Sequence, residues 1–89
     1  MLFMVIEHFK DNNPKPVGER FAERGRMMPP GVAYHTSWID AEHGRCFQVM
    51  SAPDCESLMP WVACWEDLVD FEIIPVQTSA DFWGGIASR

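Results

Sequence analysis

Long runs of apolar residues along the chain predict four β-strands. The first run extends from Leu2 to Phe9 and is almost wholly apolar, which is typical of a buried strand. The three later runs combine β-branched and aromatic residues in segments of similar length. The predicted strands are residues 2–9, 32–40, 45–52 and 69–77. Gly44 ends the short loop between the second and third strands, which predicts a hairpin there.

Two segments between these strands carry apolar residues spaced by threes and fours, which predicts amphipathic helices. The first helix ends by Met28, because the sequence Pro29-Pro30-Gly31 cannot continue it. The start of the second helix depends on its cap. With Asp54 as the cap, Pro60 would lie inside the helix, whereas with Ser57 as the cap it would fall in the first turn, where proline is tolerated. The sequence leaves both alternatives open.

The order of these elements, βαββαβ, predicts a ferredoxin-like α+β domain over residues 1–78. Short connections and right-handed crossovers place two helices on one face of a four-stranded antiparallel sheet. Residues 79–89 are expected to form a short helical turn and a tail. Thr78 and Asp81 have the spacing of a capping box, and Gly84-Gly85 is expected to end the turn.

Both faces of the predicted sheet carry large apolar side chains, although two helices can cover only one face. Side chains alternate between faces along a strand, and a sheet with one wet face should alternate apolar with polar residues. The second and third strands are expected to contribute one mixed row to the uncovered face: Tyr34, Thr36, Trp38, Cys46, Gln48 and Met50. Which side chains of the first and fourth strands join this row stays open.

An uncovered apolar face of this size needs a partner, most simply a second copy of the chain. We therefore predict a homodimer formed through the open sheet face. Two sheets that pack face to face enclose a space between them. A small apolar or aromatic molecule is the expected ligand of that space.

The net charge of the chain limits the classes of partner that we expect it to bind. Seven Lys and Arg residues oppose thirteen Asp and Glu residues, for a net charge of −6. An acidic domain repels phosphate backbones and anionic membrane surfaces, so we expect neither nucleic acid nor membrane as a partner. The first apolar run is too short for a signal peptide or a membrane span, and we expect a cytoplasmic protein.

Several reactive side chains have plain structural interpretations. Arg20, Arg24 and Arg26 are expected on the solvated side of the first helix. Cys46 is expected to be an inert thiol in the core, because no cation or helix N-terminus is evident next to its side chain. The three cysteines lack C-x-x-C spacing, the three histidines are scattered, and no glycine-rich phosphate loop is present. We therefore expect no disulfide framework, no metal and no cofactor.

Glu7 and His8 are the candidate acid–base residues, at the end of the first predicted strand. Neighbours on a strand point to opposite faces, so the two do not form a pair, but either one could point to the interior. A buried carboxylate or imidazole could act there as a general base. The alternative is an ordinary, partly exposed strand end with no catalytic role.

Tyr34, His35, Trp38 and Gln48 are the candidate ligand-binding residues. Tyr34 and Trp38 share a row and could form an aromatic wall, with His35 on the opposite side. A buried amide such as that of Gln48 must find hydrogen-bond partners, either in a ligand or in a neighbouring side chain. Packing in a dimer interface is the alternative for the aromatic residues.

The chain resembles a family of small uncharacterised bacterial proteins, a domain of unknown function, whose architecture is similar to the dimeric α+β barrel superfamily. That superfamily includes muconolactone isomerase-like, antibiotic-biosynthesis-monooxygenase-like and stress-responsive barrel proteins. The resemblance lies in Met1–Phe9, Arg24-Gly-Arg26, Ser37-Trp38, Arg45–Met50, Trp61-x-x-x-Trp65, Asp67-Leu-Val69, Phe71-Glu72 and Pro75-Val76. It implies a fold and a dimer but no activity, because related barrels host unrelated chemistries. Pro60 departs from the expected helix pattern.

Three functions follow as hypotheses. The first is a homodimeric module that binds a small apolar or aromatic molecule between its sheets. The second is a cofactor-free enzyme, isomerase or monooxygenase-like, with His8 or Glu7 as the base and with Trp38 and Gln48 positioning the substrate. The third is a heteromeric module whose open face docks another protein. Whether the chain is an enzyme stays open at this point.

Overall fold

The four predicted strands form one antiparallel sheet in the computed structural model, which describes residues 1–87. The strands are β1 (Leu2–Phe9), β2 (Ala33–Asp40), β3 (Arg45–Ser51) and β4 (Val69–Val76), and the helices are α1 (Lys15–Arg24), α2 (Met59–Trp65) and α3 (Ser79–Ala87). The strand order is β2-β3-β1-β4, with β1 in antiparallel pairing to both β3 and β4. This is the ferredoxin-like α+β arrangement, so the predicted fold class is confirmed.

The first helix is shorter than its apolar spacing predicts. It ends at Arg24 rather than near Met28, because Gly25 takes a φ of +68° and reverses the direction of the chain. A left-handed residue just after the last turn is a common helix stop, and glycine adopts it without strain. The residues after Gly25 therefore leave the helix axis, which decides where Arg26 lies.

Pro60 lies in the first turn of α2, as one of the two alternatives requires. A short 3-10 turn at Glu56–Leu58 precedes the helix. Its start is fixed by Asp54, whose carboxylate accepts hydrogen bonds from the backbone N–H of Ser57 at 2.9 Å and from the Ser57 hydroxyl at 2.7 Å. Asp54 thus caps the 3-10 turn, whereas α2 itself has Leu58 at its N-cap and no side-chain cap, so Ser57 does not act as the predicted cap.

The C-terminal helix is longer than predicted. The Thr78 hydroxyl accepts a hydrogen bond from the backbone N–H of Asp81 at 3.0 Å, as the capping pattern indicates. The helix then continues through Gly84 and Gly85, so the prediction that this pair ends it is wrong. Glycine lowers helix propensity by only about 1 kcal/mol, which does not by itself stop a helix. Residues 88 and 89 of the predicted tail lie outside the described residues.

The core lies between α2 and one face of the sheet. Its buried side chains come from β1, β3 and the α2 region: Phe3, Val5, Met50, Ala52, Leu58, Trp61 and Trp65. Trp61 also meets the edge of the Phe71 ring at a centroid distance of 5.2 Å. The other helix, α1, has no buried side chain. It stands away from the sheet and leaves a gap beneath it.

The opposite face of the sheet, called here the open face, has no cover among residues 1–87. Its apolar side chains are those of Leu2, Met4, Ile6, Trp38, Phe47, Val49, Ile74 and Val76. Trp38 is 59% exposed. The prediction of two apolar faces, of which the helices cover one, is therefore confirmed for the described chain.

The residues assigned to the open face were partly wrong for two reasons: a β-bulge displaces Tyr34, and the hairpin register pairs Trp38 with Phe47, so that Trp38 lies opposite to the row of Gln48. The register shifts between Tyr34, which pairs with Met50, and Thr36, which pairs with Val49. One extra residue in a strand reverses the alternation beyond it. Tyr34 therefore faces the helices, whereas Trp38 lies on the open face. Cys46, Gln48 and Met50, predicted on the same row as Trp38, are all buried on the helix side.

Candidate functional site

A cavity of about 340 Å³, called here the helix-side pocket, opens beneath α1. Its walls are α1, α2 and the helix-facing side of β1, β2 and β3. The larger apolar side chains that line it are Phe9, Val17, Phe21, Ile39, Trp61 and Trp65. The polar ones are Glu7, Arg26, Ser37, Cys46 and Gln48. An apolar cavity with a few convergent polar groups is the usual form of a small-molecule site.

The sheet places four of the polar side chains side by side on the pocket floor. Glu7 of β1 is the direct partner of Cys46 on β3. One step along β3, Gln48 is the direct partner of Ser37 on β2. Directly paired residues carry their side chains about 5 Å apart on the same face. The floor is therefore a compact polar cluster inside an otherwise apolar surface.

Gln48 is the most unusual member of this cluster. Its side chain is only 6% exposed, and its Nε2 has no hydrogen-bond partner among residues 1–87. A buried donor without a partner costs about 1–3 kcal/mol. Such a group is retained where it serves a bound molecule, and an amide N–H that borders a cavity can donate to a carbonyl or hydroxyl oxygen.

Glu7 is a carboxyl group in an apolar wall. Burial raises the pKa of Glu7 above its ordinary value of 4.5, although the Cys46 thiol and the charge of Arg26 act in the opposite direction. The proton of Glu7 therefore leaves at a higher pH than that of an exposed glutamate. A carboxyl whose titration moves toward neutral pH is suited to accept and return a proton.

Cys46 is a buried thiol, as predicted. Burial, followed by the negative charge of Glu7, raises the pKa of Cys46 to about 12. The side chain stays a neutral thiol at physiological pH and is a poor nucleophile. In the pocket, Cys46 lies next to Glu7, its direct partner on the neighbouring strand.

Arg26 is the pocket residue that the sequence reasoning missed. It was expected on the solvated side of α1, but the reversal at Gly25 carries it back toward the sheet. Its guanidinium carbon lies 3.6 Å from the ring centroid of Tyr34 and 4.9 Å from that of Phe21. The indole N–H of Trp65 donates to the Arg26 carbonyl at 3.2 Å. The glycine at the end of the helical pattern was the signal that could have indicated this position.

The other predicted site residues lie apart from the pocket. His8 is exposed on the side of the open face, paired with Arg45 and Asp70 in the register of the sheet. His35, the bulged residue, is exposed and bonds the Ser51 hydroxyl at 3.0 Å. Trp38 also lies on the open face. Of the six candidates, the structure brings only Glu7 and Gln48 together in the pocket.

Tyr34 has a supporting position at the edge of the pocket. Its hydroxyl shares a hydrogen bond of 2.7 Å with the hydroxyl of Ser37, and its ring lies under the Arg26 guanidinium. The predicted aromatic wall of Tyr34 and Trp38 does not form, because the bulge separates the two rings onto opposite faces. Tyr34 positions a charged neighbour instead.

Searches for other kinds of site give two findings over residues 1–87. Within this part of the chain, no group of three or more His, Cys, Asp and Glu side chains could hold a metal ion. No helix in the same residues has the length and apolar character needed to cross a membrane.

Comparison with known proteins places the chain in a family. No curated protein and no solved structure matches it. The family model described as a domain of unknown function (DUF3303) matches residues 1–88. Because this match spans nearly all of the 89 residues, the chain belongs to the DUF3303 family.

Proposed function

We propose that the protein binds a small, largely apolar or aromatic molecule in the helix-side pocket. The observation that carries this proposal is the unpartnered amide of Gln48, which lies beside Glu7 on the floor of an aromatic-walled cavity. A bound oxygen acceptor would relieve the cost of that buried donor. This site replaces the inter-sheet space expected from the sequence, because Gln48 faces the helices.

The size of the pocket fits a compact ligand. A volume of about 340 Å³ lies at the lower end of the range of about 300–1,000 Å³ for ligand sites. At about 30 Å³ for each water-sized group, it has room for roughly ten such groups. One or two fused rings with a polar substituent would fill it.

Binding can be tested with aromatic ketones and amides titrated into isotope-labelled protein. We expect amide NMR shifts around Gln48 and around Trp61, and at least a tenfold loss of affinity in Gln48→Leu. The matched control is Gln77→Leu, which makes the same change at an exposed position and should leave the affinity unchanged. If no compound in the series shifts the pocket resonances, the proposal is wrong.

Glu7 supports a second function, cofactor-free proton transfer of the isomerase type. Its carboxylate would remove a proton from the carbon beside a carbonyl group. The electron pair would move to the carbonyl oxygen, where the Gln48 N–H would stabilise the negative charge. In a β,γ-unsaturated carbonyl compound, the electron pair would then move back from the oxygen through the double bond, and the proton would return from Glu7 to the γ carbon. Exchange of α-hydrogens in deuterated water, abolished in Glu7→Gln, would support this function, and exchange that persists in the variant would contradict it.

We further propose that a second copy of the chain covers the open face. Four strands spaced by about 4.8 Å, at about 3.4 Å per residue, present roughly 500 Å² of flat surface. A stable interface buries about 800 Å² per partner. The exposed side chains of Phe82, Trp83 and Ile86 on α3 offer further apolar area. A symmetric pair can bury both surfaces at once.

Light scattering after size-exclusion chromatography tests this arrangement. We expect the mass of a dimer for the wild type and of a monomer for Ile74→Asp, which places a charge on the edge strand β4 of the open face. Ala63→Asp, which introduces the same charge at an exposed position of α2, should leave the dimer intact. A wild-type monomer would contradict the homodimer and favour a different protein as the partner.

A cytoplasmic location remains part of the proposal. Cys46, Cys55 and Cys64 are all free thiols. Reduced cysteines are the usual state in the cytosol. Labelling of thiols in intact cells, with and without membrane permeabilisation, would test the compartment directly.

A further inference from the structure

Arg26 brings a positive charge to the helix-side pocket, where its charge acts on Glu7 without a direct ion pair among the described residues. Its side chain has no ion pair and no hydrogen bond among residues 1–87. Two other arginines show the contrast, because Arg20 binds Asp67 through two contacts of 2.7 Å and Arg45 binds Asp40 at 2.7 Å. The guanidinium at the pocket therefore retains its N–H donors for another partner.

The backbone around Arg26 is built to hold this side chain in place. Gly25 and Met27, on either side of it, both have left-handed φ values, +68° and +58°. Met27 is not a glycine, and such a conformation costs on the order of 1 kcal/mol or more, which persists only where the surroundings impose it. Between these two residues, the backbone carbonyl of Arg26 accepts a hydrogen bond from the indole N–H of Trp65. Strain of this kind around a charged residue is typical of a functional position.

The stacking of Arg26 leaves its edge available for an anion. The guanidinium lies against the faces of Tyr34 and Phe21. A planar guanidinium stacked on rings keeps its N–H groups in the plane, where they match the two oxygens of a carboxylate. An ammonium group in the same place would lack that geometry.

The charge balance of the pocket also favours an anionic ligand. Glu7 is the acidic side chain among the described residues that line it. Burial raises the pKa of Glu7, which weakens its tendency to repel an anion, whereas an arginine stays charged at any physiological pH. The guanidinium is therefore the permanent charge of the cavity, even though the chain as a whole is acidic.

We infer that the ligand is a small organic acid. Its carboxylate binds Arg26, and its ring packs among the aromatic side chains of the pocket. A second oxygen atom of the ligand accepts a hydrogen bond from the Gln48 side chain. This inference rests on the proposed function, because it names the class of molecule that the helix-side pocket takes. It assigns Arg26 as a specificity-determining residue. Neutral molecules of the same shape should bind more weakly.

The test compares 2-naphthoate with 2-naphthamide, two probes of the same shape that differ in charge. We expect the wild type to bind the naphthoate at least tenfold more tightly, which corresponds to one charge-assisted contact. Arg26→Gln should remove that preference and change the affinity for the naphthamide less than threefold. The matched control is Arg24→Gln, which removes the same charge at an exposed position two residues away and should leave both affinities unchanged.

A second variant, Arg26→Lys, guards against a loss of structure in Arg26→Gln. It keeps the charge but not the paired N–H groups, so it should retain only part of the preference for naphthoate. Equal binding of both probes to the wild type, or a preference that survives in Arg26→Gln, overturns the inference and leaves the proposed function standing. Absence of pocket NMR shifts with either probe overturns the proposed function and the inference with it.

Discussion

The two faces of the sheet are built from similar apolar side chains but have different local structure. The helix side is half covered by α2, and its uncovered half contains a cluster of buried polar groups beneath α1. The open face is apolar along the middle of its two inner strands, and its charged groups lie at one end, where Arg45 pairs with Asp40, and on the edge strand β4, at Glu72. Polar groups in the middle of an apolar surface indicate a ligand site, whereas a plain apolar surface indicates a protein interface.

The largest difference between the faces should appear in a matched pair of tryptophans. Trp61 is 2% exposed in the core, whereas Trp38 on the open face is 59% exposed. Trp61→Ala should lower the free energy of unfolding by about 3–5 kcal/mol, because it removes a large buried ring. Trp38→Ala should change it by less than about 1 kcal/mol in the monomeric state. Urea unfolding at low protein concentration measures both.

This pair also tests the role of the open face. If Trp38→Ala has a small effect at low concentration and a large one at high concentration, the ring is buried between two copies. If both variants lose the same free energy of unfolding at low concentration, Trp38 already packs within its own chain. That result would contradict the description of this face as uncovered.

A smaller effect of opposite sign is expected at Gln48. Gln48→Leu should raise the free energy of unfolding by about 1–2 kcal/mol, because it removes a buried donor that has no partner in the described chain. Thermal unfolding of the ligand-free protein measures it, with Gln77→Leu as the exposed control. Higher stability together with lower ligand affinity would identify Gln48 as a binding residue. A clear loss of stability would instead show that the amide serves the fold.

The sequence predicts the sheet because its main signals are local. Apolar runs and turn residues indicate all four strands to within about one residue, and short connections then restrict their order. The bulge at His35 is different in kind, since it arises from the pairing of β2 with β3. A shift of one residue moved Tyr34 to the helix side, which no pattern within β2 reveals. The predicted binding row was wrong at Tyr34 for this reason, and wrong at Gln48 because the hairpin register pairs it with Ser37 rather than placing it on the face of Trp38.

The candidate site was predictable only in part. Glu7 and Gln48 stood out because a carboxylate and an amide are unusual in apolar strands. Arg26 did not, because charged residues near a helix are usually solvated. Its position depends on the turn at Gly25 and on contacts with the rings of Phe21 and Tyr34, which come from different elements. Tertiary contacts, rather than residue type, bring these three side chains to one cavity.

The acidic group of the helix-side pocket should make stability depend on pH in a definite direction. Because burial raises the pKa of Glu7, the folded state holds this proton to a higher pH than the unfolded state. Its contribution to stability is present below the ordinary value of 4.5 and is lost as pH rises through the raised pKa. The free energy of unfolding of Glu7→Gln should therefore increase relative to that of the wild type as pH rises, by on the order of 1 kcal/mol at neutrality.

Urea unfolding of both proteins between about pH 4 and pH 8 measures the difference, in which the other titrating groups cancel. Glu72→Gln is the control, because Glu72 is an exposed carboxylate on the neighbouring strand. Its difference from the wild type should stay within about 0.5 kcal/mol. If the stability of Glu7→Gln relative to the wild type falls as pH rises, the assignment of Glu7 to a buried environment is wrong.

The smallest expected effect concerns α3, whose described side chains are all exposed. An added Cβ at Gly85 meets no atom within 4 Å, so Gly85→Ala should favour the helix by less than about 1 kcal/mol. Circular dichroism should show more helix, while the free energy of unfolding of the sheet domain stays unchanged. Ala80→Gly, at an exposed position in the first turn, should have the opposite effect on helix content. If either variant shifts the unfolding of the whole domain, α3 packs against one of the two faces, and the comparison between them must include it.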